Sequence, residues 1–289
     1  MLKKKVKGFL KLIRIDITLF GSIALFIAGI LAGDLTEFQI EFVIAFFIIF
    51  FTAAGAFAFN DYYDFEIDKN NNRMDRPLVS GLLSKRGALI TSIISFLAVI
   101  GLSLLLNLIV IISVFISLPL FYLYSMGLKK KLFIKNFLIA LAYLATIFLG
   151  SLVIDAMLEP LIIYFGIMGF IVGFANENMF DIADVKGDKE LGIETFSTKF
   201  GVKTAAWLSV SLYIVIIGMD PLPFFLLIDQ RLHSDFLFLG LILIPVVSYI
   251  FISKSLLKDQ SGKNILKLRK RLFFVMQIGT LAYLAGVLI

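Results

Sequence analysis

The segment NDYYDFEID contains acidic side chains whose spacing could hold a divalent cation. Asp61, Asp64 and Asp68 follow one another at intervals of three and four residues, and Asn60 precedes them. Because a helix has about 3.6 residues per turn, all four side chains fall on a narrow face of one helix. We call Asp61, Asp64 and Asp68 the first aspartate group.

A second aspartate group repeats this spacing 120 residues later, in the segment DIADVKGD. It consists of Asp181, Asp184 and Asp188, and Glu177 lies one turn earlier on the same face. Acidic runs at helix ends are usually solvated caps, but two copies with identical spacing are hard to explain in that way. The repeat predicts a duplicated four-helix unit that brings two metal-binding faces together across a pseudo-twofold axis.

The residue types restrict the metal to one bound by oxygen ligands. The chain has no cysteine and a single histidine, His233, so thiolate and polyhistidine centres are excluded. Oxygen ligands favour Mg²⁺, Mn²⁺ or Ca²⁺ over Zn²⁺, and the spacing does not match the alternating ligands of an EF-hand. Since Mg²⁺ usually binds through one or two carboxylates and substrate phosphate oxygens, we expect a magnesium site that binds a phosphorylated substrate.

Basic residues near the aspartate groups could neutralise the remaining phosphate charge. Arg73 and Arg76 follow the first group, and the segment YSMGLKKK contains Tyr124, Lys129 and Lys130. Guanidinium and ammonium groups are the usual side-chain partners of phosphate. The lysines also fit the ordinary excess of positive charge on cytoplasmic loops.

The elements that position these residues are predicted to be transmembrane helices. The chain has 289 residues, is 60% hydrophobic and has a mean hydropathy of +0.98, which indicates an all-α polytopic membrane protein rather than a soluble domain. The basic N-terminal segment lacks a small-residue cleavage site, so we interpret it as part of a retained first helix. Nine spans are predicted, at residues 12–33, 38–59, 88–106, 108–126, 132–154, 157–180, 204–219, 236–253 and 272–289.

The distribution of charge predicts the orientation in the cell membrane. Alternate connecting segments contain 26 of the 27 Lys and Arg residues, and only Arg231 falls on the other side. That other side has the acidic residues Asp34, Glu37, Asp155, Glu159, Asp220 and Asp235. The positive-inside rule therefore places the N-terminus and both aspartate groups in the cytoplasm and the C-terminus outside. The net charge of +6 thus reflects membrane topology, and no nucleic-acid partner is expected.

At these residues the chain resembles the UbiA superfamily of intramembrane prenyltransferases. The matching segments are NDYYDFEID, DIADVKGD followed by GIETF, DRPLVSG and YSMGLK. The resemblance implies one prenyltransferase domain over residues 1–289, with halves of about 1–127 and 128–289. It also implies nine helices around a central cavity, with a cytoplasmic cap over the active site.

The resemblance further implies roles for individual residues. One Mg²⁺ ion would be bound with the isoprenyl diphosphate by Asn60, Asp61, Asp64 and Asp68, and a second ion by Asp181, Asp184 and Asp188. Among these, Asp64, Asp68, Asp184 and Asp188 are the predicted catalytic residues. The predicted contacts to diphosphate or substrate are Arg73, Arg76, Tyr124, Lys129, Lys130 and Glu177. Many members have Arg-Pro near the first span, where this chain has Arg14 followed by Ile15.

Within the superfamily, DVKGD and TFSTKFG are most similar to an archaeal branch. Members of that branch add a second geranylgeranyl group to the free hydroxyl of geranylgeranylglyceryl phosphate, in the synthesis of ether lipids. A phosphate-bearing acceptor would account for the surplus of cytoplasmic cations. The alternatives are a prenyltransferase acting on an aromatic quinone precursor or a tetrapyrrole, a secondary transporter, and a lipid-binding scaffold. Membrane lipids are the other expected partners, and the sequence indicates no protein partner.

Overall fold

The computed structural model of the chain describes residues 2–33, 39–70 and 73–289. Asp34, Glu37 and the first residue of the predicted second span lie outside these ranges. The described residues form helices joined by turns, and a short 3₁₀ turn covers Leu128–Lys130. The helices are α1 (Leu2–Leu12), α2 (Ile15–Ala32), α3 (Ile40–Asn70), α4 (Lys85–Ser103), α5 (Leu108–Met126), α6 (Ile134–Leu152), α7 (Pro160–Glu190), α8 (Phe196–Phe200), α9 (Val202–Met219), α10 (Leu222–Phe225), α11 (Phe236–Lys258) and α12 (Gly262–Leu288).

The prediction of an all-α protein with nine transmembrane helices is confirmed. Within the described ranges, nine helical segments are long and apolar enough to cross a bilayer, with α9 and α10 counted together. Several helix boundaries differ from the predicted spans, including the start of α12 at Gly262, ten residues before the predicted residue 272. The N-terminal segment forms a separate helix, α1, which ends before α2 begins. Helices α3 and α7 also continue about ten residues beyond the predicted spans, so each aspartate group lies on the same rigid helix as its membrane span.

The chain divides into two compact units. The first unit contains the described residues of 1–29, 34–128 and 149–157. Here α3 packs against α4 and α5, and Ile48, Phe96 and Val114 belong to the core between them. A Cβ atom at Gly55 of α3 would lie 2.8 Å from the Phe96 ring, so glycine permits this close approach of α3 and α4.

The second unit contains residues 30–33, 129–148 and 158–289. Helix α7 packs against α8, α9 and α12, and α11 packs against α9 and α12. Buried polar side chains fix α7 against α9, because the Asn178 amide donates to the Ala205 carbonyl and to the Ser209 hydroxyl, each at 2.8 Å. Ser209 in turn donates to the Ala175 carbonyl. Such bonds are strong in an apolar interior, so they hold the helix that presents the second aspartate group.

Helices α3 and α7 correspond to each other in length and in sequence position. Each has 31 residues, and α7 begins and ends 120 positions after α3. The two aspartate groups therefore occupy the same place, near the C-terminal end of their helices. This correspondence agrees with the predicted pseudo-repeat. The assignment of residues 1–289 to a single domain stays a prediction.

Candidate active site

The first aspartate group lies on the last three turns of α3. Asp61 and Asp68 are buried, with 3% and 7% of their surface exposed, whereas Asp64 and the preceding Asn60 are half-buried. A buried carboxylate is costly unless a cation or hydrogen bonds compensate its charge. The arrangement therefore requires positive charge close to Asp61 and Asp68.

Arg76 supplies much of this charge because it bridges the two buried acids. Its guanidinium donates a 3.0 Å hydrogen bond to Asp61 Oδ1, and its Nε lies 3.5 Å from Asp68 Oδ2. The chain reaches this position through a turn after α3, in which the Arg76 amide donates to the Arg73 carbonyl. The sequence predicted a diphosphate contact for Arg76, and the structure places it on the predicted metal ligands themselves.

Arg14 is a second cation beside Asp61, and no role was predicted for it from the sequence. Its guanidinium lies 3.6 Å from Asp61 Oδ1 and 4.4 Å from the centre of the Phe57 ring. Burial lowers the pKa of Arg14, and the neighbouring Arg76 lowers it further. Arg14 also has a φ of 45°, in the left-handed region that non-glycine residues rarely adopt, at the break between α1 and α2. The contacts to Asp61 and Phe57 hold it in this conformation.

Arg73 lies at the edge of the first group. It donates two hydrogen bonds, of 3.1 and 3.2 Å, to the carboxylate of Asp75, and it lies 4.0 Å from Asp68. The hydrogen bond from Arg73 lowers the pKa of Asp75. Arg73 is therefore near the first aspartate group, where a diphosphate contact was predicted, and that contact stays a prediction.

The second aspartate group is neutralised from a different helix. Asp181 is 1% exposed, and its two carboxylate oxygens accept hydrogen bonds from Lys135 and from the Asn136 amide, the latter at 2.9 Å. Both residues lie in the first turn of α6. The Asp181 backbone carbonyl also accepts a 2.9 Å bond from Ser197 of α8. Sequence reasoning counted Lys135 only as a loop cation and did not identify Asn136.

Asp184, Asp188 and the preceding Glu177 have fewer hydrogen bonds to protein groups than Asp181. Asp184 is exposed, and Glu177 is half-buried one turn before Asp181. Asp188 is 7% exposed, and its Oδ2 atom is buried without a hydrogen-bond partner among the described residues. Because an unpaired buried carboxylate oxygen is unfavourable, this atom suits a cation that the protein itself does not provide.

The predicted magnesium chemistry fits these side chains, although no complete cage is formed. Among the described residues, no three Asp, Glu or His side chains converge as a preformed metal site. Mg²⁺ rarely uses such cages, since it usually combines one or two carboxylates with substrate phosphates and water. The unpaired oxygen of Asp188 and the exposed carboxylate of Asp184 match that requirement.

The remaining predicted contacts lie between α5 and α6. Tyr124 is in the last turn of α5, and Lys129 and Lys130 are in the 3₁₀ turn that follows. The Lys130 carbonyl accepts a 2.9 Å hydrogen bond from the Glu194 amide. The roles of these residues in substrate binding stay predictions.

Comparison with known proteins gives a family and several relatives. The model of the UbiA prenyltransferase family matches residues 20–278. A digeranylgeranylglyceryl phosphate synthase from Sulfurisphaera tokodaii is 30% identical over 84% of this chain and 87% of its own length. The enzyme of the same name from Pyrococcus furiosus is 28% identical over 98% of both chains.

Solved structures with the same fold are also similar over almost the whole chain. A structure concerned with digeranylgeranylglyceryl phosphate synthase in membranes has a TM-score of 0.79 and 28% identity, with 98% of both chains covered. A UbiA homologue from Archaeoglobus fulgidus, bound to GPP and Mg²⁺, has a TM-score of 0.70. It is 18% identical, and the match covers 98% of this chain and all of that one.

Proposed function

Because the chain belongs to the UbiA prenyltransferase family, we propose that it is an integral membrane enzyme that transfers a geranylgeranyl group from geranylgeranyl diphosphate to geranylgeranylglyceryl phosphate. The observation that carries the proposal is the pair of helices α3 and α7, which have the same length. Each has an aspartate group near its C-terminal end in which two carboxylates are buried and one is more accessible. The two digeranylgeranylglyceryl phosphate synthases align with most of the chain, and this similarity supports the choice of acceptor.

The reaction exchanges one C–O bond for another. The bond between the allylic carbon of the donor and its diphosphate breaks, and diphosphate leaves with the electron pair. The free hydroxyl oxygen of the acceptor forms an ether bond to that carbon and releases its proton. The residues therefore have to bind diphosphate, stabilise its developing charge and keep water away from the allylic carbon.

Two magnesium ions are part of the proposal. Asn60, Asp64 and Asp68 would hold one ion, and Asp184 and Asp188 the other. When bound, magnesium neutralises the charge that develops on the leaving diphosphate. The Archaeoglobus fulgidus homologue bound to GPP and Mg²⁺ supports this use of the metal.

Asp61 and Asp181, the first residue of each group, have a task other than metal binding. Asp61 orients Arg14 and Arg76, and Asp181 orients Lys135, so these buried acids hold cations in place beside the metal ligands. Once diphosphate is present, Arg76 can share its guanidinium between Asp68 and a phosphate oxygen. Fixed positive charges of this kind need no rearrangement as the leaving group gains charge.

We place the N-terminus and both aspartate groups on the cytoplasmic side and the C-terminus outside. The segregation of 26 of 27 basic residues supports this orientation. It also gives both aspartate groups access to diphosphate substrates made in the cytoplasm.

The test is an acceptor comparison with the purified full-length protein in lipid nanodiscs. Geranylgeranyl diphosphate and Mg²⁺ are supplied with geranylgeranylglyceryl phosphate, 4-hydroxybenzoate or a dihydroxynaphthoate, and products are identified by mass spectrometry. We expect a diether product only with the glyceryl phosphate, and no product after chelation of the metal. Alkylation of an aromatic acid with no reaction of the glyceryl phosphate would instead identify an aromatic prenyltransferase.

A further inference from the structure

A groove along α1 combines cationic and apolar side chains, and none of its lining residues belongs to either aspartate group. It has a volume of about 600 Å³, and its lining includes Lys3, Val6, Lys7, Leu10, Lys11 and Arg14. The cations recur every three or four residues, so they form one row along a single face of the helix. Val6 and Leu10 lie between them and are 50% and 40% exposed.

The opposite side of α1 is fixed to the protein, so this face cannot turn inward. Gly8 is buried, and a Cβ atom there would lie 2.9 Å from the Leu82 Cβ. Leu12 is completely buried in a cluster with Ala58 and Leu78. The groove is therefore a formed surface with a defined orientation.

The groove ends at the first aspartate group. Arg14 lines it and also lies 3.6 Å from Asp61. Asp16 is the acidic residue in the lining, and it follows Arg14 at the end of the groove farthest from Lys3. The charge along Lys3, Lys7 and Lys11 is thus uniformly positive.

We propose that this groove binds the phosphate headgroup of an anionic membrane lipid. The row of lysines is complementary to phosphate charge, and the half-exposed Val6 and Leu10 are complementary to the first part of an acyl chain. A short, lysine-rich amphipathic helix directly before a transmembrane helix has the composition of a helix at the membrane interface. The proposal does not depend on the proposed reaction, although Arg14 connects the end of the groove to the first aspartate group.

Two of the N-terminal lysines allow a matched control. Lys4 and Lys5 are exposed on α1 but do not line the groove, whereas Lys7 and Lys11 do. The variants K7Q/K11Q and K4Q/K5Q therefore remove the same charge from the same helix. Any general effect of a positive cytoplasmic segment must affect both pairs equally.

The experiment measures lipid binding to the full-length protein in detergent by native mass spectrometry. Dioctanoyl phosphatidylglycerol is titrated against dioctanoyl phosphatidylcholine, and thermal unfolding checks that each variant is folded. Near an anionic surface each lysine contributes about a fivefold gain in affinity. We therefore expect K7Q/K11Q to bind phosphatidylglycerol at least tenfold more weakly, and K4Q/K5Q to stay within twofold of the unmodified protein.

Three results would overturn the proposal. Equal losses in the two variants would mean that general charge, not the groove, attracts the lipid. Equal binding of phosphatidylcholine and phosphatidylglycerol by the unmodified protein would mean that negative charge is not recognised. Displacement of the lipid by an equal concentration of glycerol 3-phosphate would mean that the occupant is a soluble phosphate.

Discussion

The two aspartate groups occupy the same place on helices of the same length, but different side chains neutralise them. In the first group Arg76 bridges Asp61 and Asp68, and Arg14 adds a second cation to Asp61. These arginines come from segments before and after α3. In the second group a lysine and an amide from the start of α6 both donate hydrogen bonds to Asp181.

The difference separates the tasks of the aspartates within each group. Asp61 and Asp181, at the first position, are both paired with cationic side chains of the protein, so they serve as counter-ions. The third positions differ, because Asp68 already has an arginine beside it, whereas the buried Oδ2 atom of Asp188 has no hydrogen-bond partner in the part of the chain that the structure describes. We therefore expect the second group to bind a metal ion without rearrangement. In the first group, Arg76 would have to move away from Asp68 or share this carboxylate with the metal ion.

The largest expected effect comes from the middle aspartates. Asp64→Ala and Asp184→Ala should each reduce transfer by about a thousandfold or more, because each removes a metal ligand that stabilises the leaving diphosphate. The measurement is product formation by the purified variants at saturating Mg²⁺. If the two groups contribute unequally to the chemistry, the loss will be much smaller in one variant.

Asp75→Ala is the matched control for these substitutions. Asp75 is acidic and follows the first group closely in sequence, but its side chain is 63% exposed and points to Arg73. We expect this variant to keep most of its activity. Magnesium-dependent turnover that persists in Asp64→Ala or Asp184→Ala would contradict the assignment of two metal sites.

The second prediction concerns stability. It compares the lysine that neutralises Asp181 with the arginines that neutralise Asp61. Lys135→Met leaves the carboxylate of Asp181 buried without its cation, which typically costs about 3–5 kcal/mol. Arg76→Met should cost less, because Arg14 still faces Asp61 and Arg73 still lies 4.0 Å from Asp68. Both are measured as the free energy of unfolding in detergent without metal.

The double variant Lys135→Met/Asp181→Asn tests the reason for that loss. Removing the buried charge together with its partner should recover a large part of the stability. A double variant no more stable than Lys135→Met would mean that the lysine acts through packing and not through the ion pair.

Much of the fold follows from local sequence features. Apolar runs of spanning length predicted the nine membrane segments, and intervals of three and four residues placed each aspartate group on one helical face. The helices α3 and α7 extend further than the apolar runs because polar residues such as Asp64 and Lys69 continue the helix outside the hydrocarbon. A hydropathy profile therefore shows where the apolar span ends, but it does not show where the helix itself ends.

The counter-ions could not be predicted in the same way, because they depend on contacts between segments distant in the chain. The sequence suggested that metal must neutralise the aspartates, but Arg14, Arg76 and Lys135 already neutralise part of their charge. One signal was present for Lys135. Although it was counted with the loop cations, Lys135 also falls inside the predicted span 132–154, where a charged side chain is rare and needs a partner.

The third prediction tests whether Arg76 competes with metal at the first group. Arg76→Gln should increase the affinity of the substrate-free protein for Mn²⁺ several-fold, since Asp61 and Asp68 lose the cation that bridges them. The affinity is measured by electron paramagnetic resonance of free Mn²⁺. Arg86→Gln, at an exposed position on α4, removes the same charge and should change the affinity little. An unchanged affinity in Arg76→Gln would mean that its guanidinium does not compete with the metal.

The smallest effect is expected at the edge of the first group, where Arg73 pairs with Asp75. The hydrogen bond from Arg73 lowers the pKa of Asp75, so its contribution to stability is present at neutral pH and is lost as the pH falls through the lowered pKa. Because the two side chains are 46% and 63% exposed, solvent screens the pair, and Asp75→Asn should cost less than about 1 kcal/mol. The measurement is thermal unfolding of both proteins at pH 7 and pH 2, with a smaller difference expected at the lower pH. A loss at pH 7 comparable to that of Lys135→Met would mean that exposed and buried counter-ions contribute equally, and the distinction between the two aspartate groups would fail.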